Sequence, residues 1–171
     1  MNNITLIGMP SAGKSSAGVV LAKALGMSFL DADLLIQEQE GELLQSILNT
    51  RGIEAFLDLE GDVLASIQCS NTVIAPGGSS IYRDHAMQHL RELGTVVYLK
   101  LSLEEVERRL NNLASRGVAL RPGETLADLY NFRTPLYEKY AHITIPCDGR
   151  NLGETVADIR AALTAYSGKE V

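Results

Sequence analysis

The sequence predicts a single three-layer α/β/α domain built on a five-stranded parallel sheet, and three observations predict it. Short β-favouring runs alternate with longer helical patterns from end to end, and the strand runs are apolar on both faces. The first strand also opens directly into a glycine-containing loop and a helix. A chain of 171 residues and 18.5 kDa fits one domain spanning 1–171, because chains divide only beyond roughly 250 residues.

The elements follow in order. Strands are expected from Ile4 to Ile7, Ser28 to Leu30, Thr72 to Ala75, Thr95 to Leu101 and Ile143 to Ile145. Between them, helical patterns run from Lys14 to Leu25 closed by Gly26, from Leu34 to Asn49, from Ile53 to Ile67, and from Asp84 to Leu93 closed by Gly94. Three later helices carry start signals: Ser102 with Glu105, Thr125 with Asp128, and Asn151 with Glu154. Sheets of this kind bind ligands beyond the carboxyl ends of their strands.

Composition narrows the function. With 46% hydrophobic and 21% charged residues and a mean hydropathy of +0.04, the chain can fill a core. A net charge of −6 and a pI near 5.1 argue against coating nucleic acid or an anionic membrane, so any bound anion needs a local site. Between Arg108 and Lys139 there are six Lys or Arg against three Asp or Glu, a local surplus for which an anion site is the simplest cause and a solvated charged helix face the alternative. Cys69 and Cys147 are too few for a disulfide scaffold and read as free thiols of a reducing compartment. With no basic leader and no apolar stretch approaching the ~20 residues of a membrane span, the expectation is a cytoplasmic protein, acting as a monomer.

The loop after the first strand reads Gly8-Met9-Pro10-Ser11-Ala12-Gly13-Lys14-Ser15, which matches G-x-x-x-x-G-K-[ST], the P-loop. Each residue type has a physical reason. Glycines let backbone N–H groups converge on phosphate oxygens, the lysine neutralises β/γ charge, the serine offers a hydroxyl to Mg²⁺, and the helix N-terminus adds its dipole. Gly8, Ser11, Ala12, Gly13, Lys14, Ser15 and Ser16 are therefore the candidate nucleotide-binding residues, with ATP and Mg²⁺ as the implied ligands. An exposed lysine in a glycine turn would leave Ser15 and the flanking strand as coincidences.

The end of the second strand supplies Asp31-Ala32-Asp33. On an extended segment, carboxylates at i and i+2 face one side, so both would look into one cleft. One could serve Mg²⁺ while the other accepts the proton of an attacking hydroxyl; a helix cap for the following helix is an equally good reading of either.

Further along come Gly41, Ile47, Gly52, Phe56 and Glu60, then Pro76-Gly77-Gly78-Ser79, then Arg121-Pro122, then Arg133-x-Pro135-x-Tyr137, and Arg150 after the last strand. Together with the P-loop and Asp-x-Asp, this series resembles the shikimate kinase family over nearly the whole chain. The resemblance implies a P-loop kinase of the nucleoside monophosphate kinase-like fold, with a helical substrate-binding subdomain near 33–61 and a lid near 111–124. It implies phosphorylation of a hydroxyl on a small hydroxy-acid by ATP, shikimate to shikimate 3-phosphate in aromatic amino acid biosynthesis. Carried over by position, Lys14, Asp33 and Arg121 would be catalytic, and Ser15 and Asp31 would lie on the metal side. Asp33, Gly77, Gly78, Ser79 and Arg133 would receive the substrate, with Arg109 and Arg150 flanking the adenine.

Three departures concentrate on the acceptor half. Leu57 stands where the family carries a substrate-binding arginine, and an isobutyl group forfeits charge-assisted hydrogen bonds worth about 1.5–3 kcal/mol each. Ser79 replaces the third glycine of the turn. The lid segment is long, Gly123 follows Arg121-Pro122 where a leucine is common, and Arg116 competes with Arg121 for the phosphoryl-contacting role. A less positive pocket suits a zwitterion, so an amino-hydroxy-acid such as homoserine is the alternative acceptor. A nucleotide-binding regulatory module is the non-enzymatic alternative, although it has no need for Asp33, Arg121 and Arg133 together.

Smaller signals have plain readings. His85 and His89 stand at i and i+4 without a third metal ligand and read as a solvated pair. Tyr130, Tyr137 and Tyr140 read as helix packing, and Leu34, Leu35, Leu43, Leu44 and Leu48 as core of the substrate subdomain.

Overall fold

Strands whose side chains are apolar on both faces can be stable only between two layers, and the computed structural model, which describes residues 2–111 and 120–167, has that arrangement. Strand β1 (Asn3–Ile7) is buried at every position, as is β3 (Thr72–Ala75), while β2 (Ser28–Asp31) and β5 (Ile143–Pro146) form the half-exposed edges. With β4 (Gly94–Lys100) they make one all-parallel sheet in the order β2-β3-β1-β4-β5. The five expected strands are all present, with ends shifted by no more than one residue. Strand β1 lies between β3 and β4: the chain goes from β1 to β2 and β3 on one side and then crosses over to β4 and β5 on the other, and the crevice opens at the carboxyl end of β1.

Helix α1 (Lys14–Leu25) buries Ala17, Gly18, Leu21 and Ala22 and stops at Gly26, whose φ of 67° is the left-handed conformation that glycine takes without a Cβ penalty. The expected helix from Leu34 to Asn49 is two helices, α2 (Ala32–Glu40) and α3 (Leu44–Arg51). The break falls at Gly41, which again adopts a positive φ and caps α2. Helix α4 (Ile53–Ser66) follows, and Ile36, Ile47, Phe56, Leu57 and Val63 from α2, α3 and α4 form an apolar cluster separate from that of the sheet. The leucines assigned to core divide: Leu35, Leu44 and Leu48 pack on that cluster, but Leu34 and Leu43 are exposed. The break at Gly41 rotates α3 relative to α2, so one continuous apolar stripe does not exist.

A 3₁₀ turn (Ser80–Tyr82) leads to α5 (Asp84–Leu93), and α6 (Leu103–Asn111), α7 (Leu126–Tyr140) and α8 (Leu152–Ser167) complete the layers. Thr125 and Asp128 make a reciprocal capping box on α7, and Asn151 and Glu154 exchange the same pair of bonds before α8. Ser102 accepts from the Glu105 N–H, but its own N–H goes to Asp148, so that box is half made. The tyrosines pack as expected: Tyr130 donates to the Leu101 carbonyl, and Tyr137 and Tyr140 are buried. His85 and His89 go to Asp62 and to the Ile67 carbonyl, and no metal-ligand cluster exists among the described residues. Cys147 is buried and Cys69 half-buried, both free. Among the described residues no helix is long and apolar enough to cross a membrane. The expected lid, 111–124, contains residues 112–119, Arg116 and Gly117 among them, which lie outside the described residues.

Candidate active site

At the carboxyl end of β1 the chain turns through Gly8, where a Cβ would lie 2.7 Å from the Leu99 carbonyl oxygen, so no larger residue fits there. Gly13 then enters α1 at a φ of 83°. No side chain caps that helix and its first turn holds no acidic residue, which leaves the initial N–H groups and the positive end of the dipole facing outward. Lys14 folds back over the loop, donating from Nζ to the Gly8 and Met9 carbonyls at 2.9 Å each. The Ser11 hydroxyl is buried in the loop with no partner among the described residues, an open valence suited to a phosphate oxygen.

Asp31 closes β2, and its two oxygens divide the work. Oδ1 accepts from the backbone N–H groups of Asp33 and Leu34, capping α2, while Oδ2 accepts from the Ser15 hydroxyl at 3.0 Å. The capping reading of this carboxylate is therefore met at Oδ1, while Oδ2 stands beside Ser15 on the P-loop side. Ser15 and Asp31 form a pair of hard oxygen donors between the P-loop and β2, a set that fits Mg²⁺ completed by water.

Asp33 is a correction. The strand ends at Asp31, and Asp33 sits in the first turn of α2, because capping by Asp31 starts the helix immediately. It reaches the cleft by helical geometry rather than by strand alternation. Burial, then the adjacent Asp31 charge, raise its carboxyl above the usual range, with Lys14 opposing.

These groups line a cleft of about 580 Å³. Pro10, Ser11, Gly13, Lys14, Ser15 and Ser16 form its P-loop side, with Ala12 buried behind. Asp33, Glu60, the Gly77-Gly78-Ser79 turn and Arg133 form the other side, with Phe56 and Leu44 as apolar wall. The turn is crowded at two points: a Cβ on Gly77 would lie 2.9 Å from both Asp33 Oδ1 and Glu60 Oε2, and one on Gly78 would lie 3.0 Å from Arg133 Nη1, so a larger residue there would push on these side chains. Tyr137, fully buried, donates to the Gly78 carbonyl and holds the turn in place. Arg133 is only 2% exposed; its Nε donates to the Tyr82 hydroxyl at 3.2 Å, and its guanidinium lies 5.2 Å from that ring.

Three expected arginines lie outside this cleft. Arg121 pairs with Glu54 at 2.9 Å and stands over the Tyr82 ring, in a small adjoining pocket with Ile53, Leu57, Glu124 and Arg133. Arg109 donates to the Ser11 carbonyl at 3.1 Å while pairing with Glu105, so it braces the P-loop from behind. Arg150 pairs with Asp158 at 3.0 Å. Each of these exposed or half-exposed guanidinium groups pairs with the nearest carboxylate or carbonyl. Leu57 is buried in the apolar cluster and reaches only the adjoining pocket.

Two further residues belong to the site. Tyr82 carries both Arg133 and Arg121 on its ring. Glu60, 2% exposed, accepts from the Ser79 hydroxyl at 2.7 Å, and burial pushes its carboxyl up to about 7. An acid on the helical face shared with Phe56, Val63 and Leu64 is the sequence signal for Glu60; Tyr82 offers none.

A family model described as shikimate kinase matches residues 10–164. A shikimate kinase of Paracidovorax citrulli is 36% identical over 167 residues, covering 94% of this chain and 91% of that protein. Among solved structures, shikimate kinase from Acinetobacter baumannii in complex with shikimate superposes with a TM-score of 0.83 at 30% identity, over 96% of this chain and 94% of that one. The shikimate kinase from Aquifex aeolicus gives 0.81 at 28% identity, over 96% and 98%. With the model spanning nearly all of the chain and the five-stranded frame shared, this protein belongs to the shikimate kinase family.

Proposed function

We propose that this protein transfers the γ-phosphoryl group of ATP to a hydroxyl of shikimate. The single observation that carries the reading is one cleft with a P-loop on one wall and, on the other, a carboxylate, a buried guanidinium and a glycine turn. That pairing joins a phosphate donor to a small hydroxylated carboxylate, and the family supplies the identity of both.

In this reading the P-loop N–H groups and Lys14 hold the β- and γ-phosphates, and Ser15 with Asp31 would hold Mg²⁺. When bound, the metal neutralises charge on the phosphate oxygens. The acceptor carboxylate lies against Arg133 and the Gly77-Gly78 turn. Asp33 orients the attacking hydroxyl and takes its proton as the new O–P bond forms and the bond to the β-phosphate oxygen breaks, leaving ADP. Raised above the usual carboxylate range by burial, the Asp33 carboxyl is a better proton acceptor than an ordinary aspartate. Arg121 would move from Glu54 to the transferring group when a nucleotide supplies the stronger anion. Helices α2 to α4 act as the acceptor-side subdomain, and the closing segment as a lid that excludes water.

The direct test is ADP release from Mg-ATP with shikimate and, in parallel, with homoserine, against Lys14→Ala as the blank. Turnover with shikimate is expected. Turnover with homoserine alone would overturn this reading in favour of the amino-hydroxy-acid suggested by Leu57, and nucleotide binding without turnover on either would favour a regulatory module.

Leu57→Arg gives a second prediction. Leu57 borders the pocket that Arg133 shares, so a guanidinium there adds a second cation for the carboxylate. The shikimate KM is expected to fall about tenfold, by one charge-assisted bond. The larger side chain should cost about 1–3 kcal/mol of stability, because it enters a packed apolar cluster. An unchanged KM in a folded variant would count against a missing carboxylate contact.

A further inference from the structure

Around the cleft, arginines are held by carboxylates: Arg121 by Glu54, Arg109 by Glu105, Arg150 by Asp158, and Arg83 by Glu54 and Asp58. Arg133, the buried one, differs. Among the described residues its hydrogen-bonding partners are phenols: Nε donates to the Tyr82 hydroxyl at 3.2 Å, and Tyr137 is the other. The Tyr82 ring also lies against the guanidinium, 5.2 Å from its centre. A carboxylate partner would orient the guanidinium and cancel its charge; a phenol orients it and leaves the charge uncompensated. Burying a cation in this way is costly unless an anion arrives with the ligand.

Short local bonds fix Tyr82 for this work. It ends the 3₁₀ turn, where the Ser80 N–H donates to the Gly77 carbonyl and the Tyr82 N–H to the Ser79 carbonyl, each at 3.2 Å. The ring is thereby tied to the glycine turn on the acceptor wall. Phe132, the neighbour of Arg133 on α7, stacks on the same ring with centroids 5.4 Å apart. A guanidinium can meet a carboxylate with its side, Nε and one Nη, or with its end, both Nη groups. The Tyr82 hydroxyl occupies Nε and closes the side. Nη1 lies 3.0 Å from where a Cβ on Gly78 would stand, so the end is directed at the glycine turn.

We propose that Tyr82 is a positioning residue of the acceptor site: it holds Arg133 by neutral contacts in the one orientation that presents the end of the guanidinium, with its charge intact, to the acceptor carboxylate beside Gly78. This rests on the acceptor reading above. It also gives a physical reason why one cation suffices where Leu57 supplies none. A guanidinium already fixed in its binding orientation loses little side-chain freedom when the carboxylate arrives, so more of the bond strength appears as affinity. Arg121 shares the ring, 5.8 Å from its centre, but is paired with Glu54. Of the two cations on Tyr82, Arg133 is therefore the one left for an incoming carboxylate.

The experiment is a double-mutant cycle of Tyr82→Phe and Arg133→Met, read by calorimetric binding of shikimate and by steady-state kinetics. Tyr82→Phe keeps the ring and its stacking on Phe132 and removes only the hydroxyl, so the fold is retained, with thermal unfolding as the control. In the otherwise wild-type protein its shikimate Kd and KM should rise about tenfold, with kcat and the KM for ATP within about twofold, the loss being that of one charge-assisted hydrogen bond. In the Arg133→Met background the hydroxyl has no Nε to hold, so the same change should alter kcat/KM for shikimate by less than about 1.5-fold. A purely structural role would move both backgrounds alike. A loss of about tenfold in each background, or a Tyr82→Phe Kd within about twofold of wild type, would overturn the positioning role while leaving the acceptor reading standing. Shikimate neither bound nor turned over by the wild type would overturn both.

Discussion

Lys14→Ala is expected to reduce kcat by about 10²- to 10³-fold, the loss typical when one preorganised charge is removed from a site of developing negative charge. The side chain reaches across the P-loop to the Gly8 and Met9 carbonyls and lines the cleft, where its ammonium would meet the phosphates. Charge on the transferring group and on the leaving oxygen grows toward the transition state, so the stabilisation lost is larger there than in the ground state. Little of the fold depends on it, because α1 is anchored through Ala17, Leu21 and Ala22. ADP release under saturating substrates measures the effect, with thermal unfolding as the control. A folded variant retaining more than a tenth of the wild-type kcat would remove Lys14 from the catalytic role proposed for it.

Arg133→Met is expected to lower kcat/KM for shikimate by about 10²-fold, mostly through KM, with the KM for ATP within about twofold. Among the buried residues of the acceptor wall, Arg133 is the cation, at 2% exposure, held by the Tyr82 hydroxyl and lying against the Tyr82 ring. Two charge-assisted bonds to a carboxylate, at about 1.5–3 kcal/mol each, account for a loss of this size. Lysine should recover only part of it, since a point charge reproduces neither the planar fork nor the stacking. Methionine retains the aliphatic volume on Tyr82, so the fold is expected to tolerate the change. A shikimate KM within threefold of wild type would show that the carboxylate is held elsewhere.

Both side chains are legible in the amino-acid sequence, for different reasons. Lys14 is read from a contiguous motif, in which strand, turn and helix are joined by local geometry and the spacing itself states the chemistry. Arg133 is reached through resemblance to a family; neither its burial nor Tyr82, 51 residues away, is visible from its neighbours in the chain. Asp33 belongs to the wall that strand alternation assigns it, but it arrives there on a helix. A capping aspartate and a strand-end aspartate look alike in sequence, and they part only where the N–H groups of Asp33 and Leu34 converge on Asp31.

Short-range physics accounts for what can be read directly from the chain. This covers five apolar strand runs, the phosphate loop, the Thr125 and Asn151 capping pairs and the glycine-terminated α1. Each depends on residues within a turn or two of one another. Which distant polar groups meet is settled only by packing in three dimensions. It joins Ser79 to Glu60 across 19 residues, pairs Arg121 with Glu54 across 67, and sets Arg109 behind Ser11 across 98. It also splits the helix expected from Leu34 to Asn49 and leaves Leu34 and Leu43 in water. Such meetings follow from how the helices lie on the sheet. A polar side chain's partner, and with it its charge state, is set by whatever surface packing brings within about 3 Å.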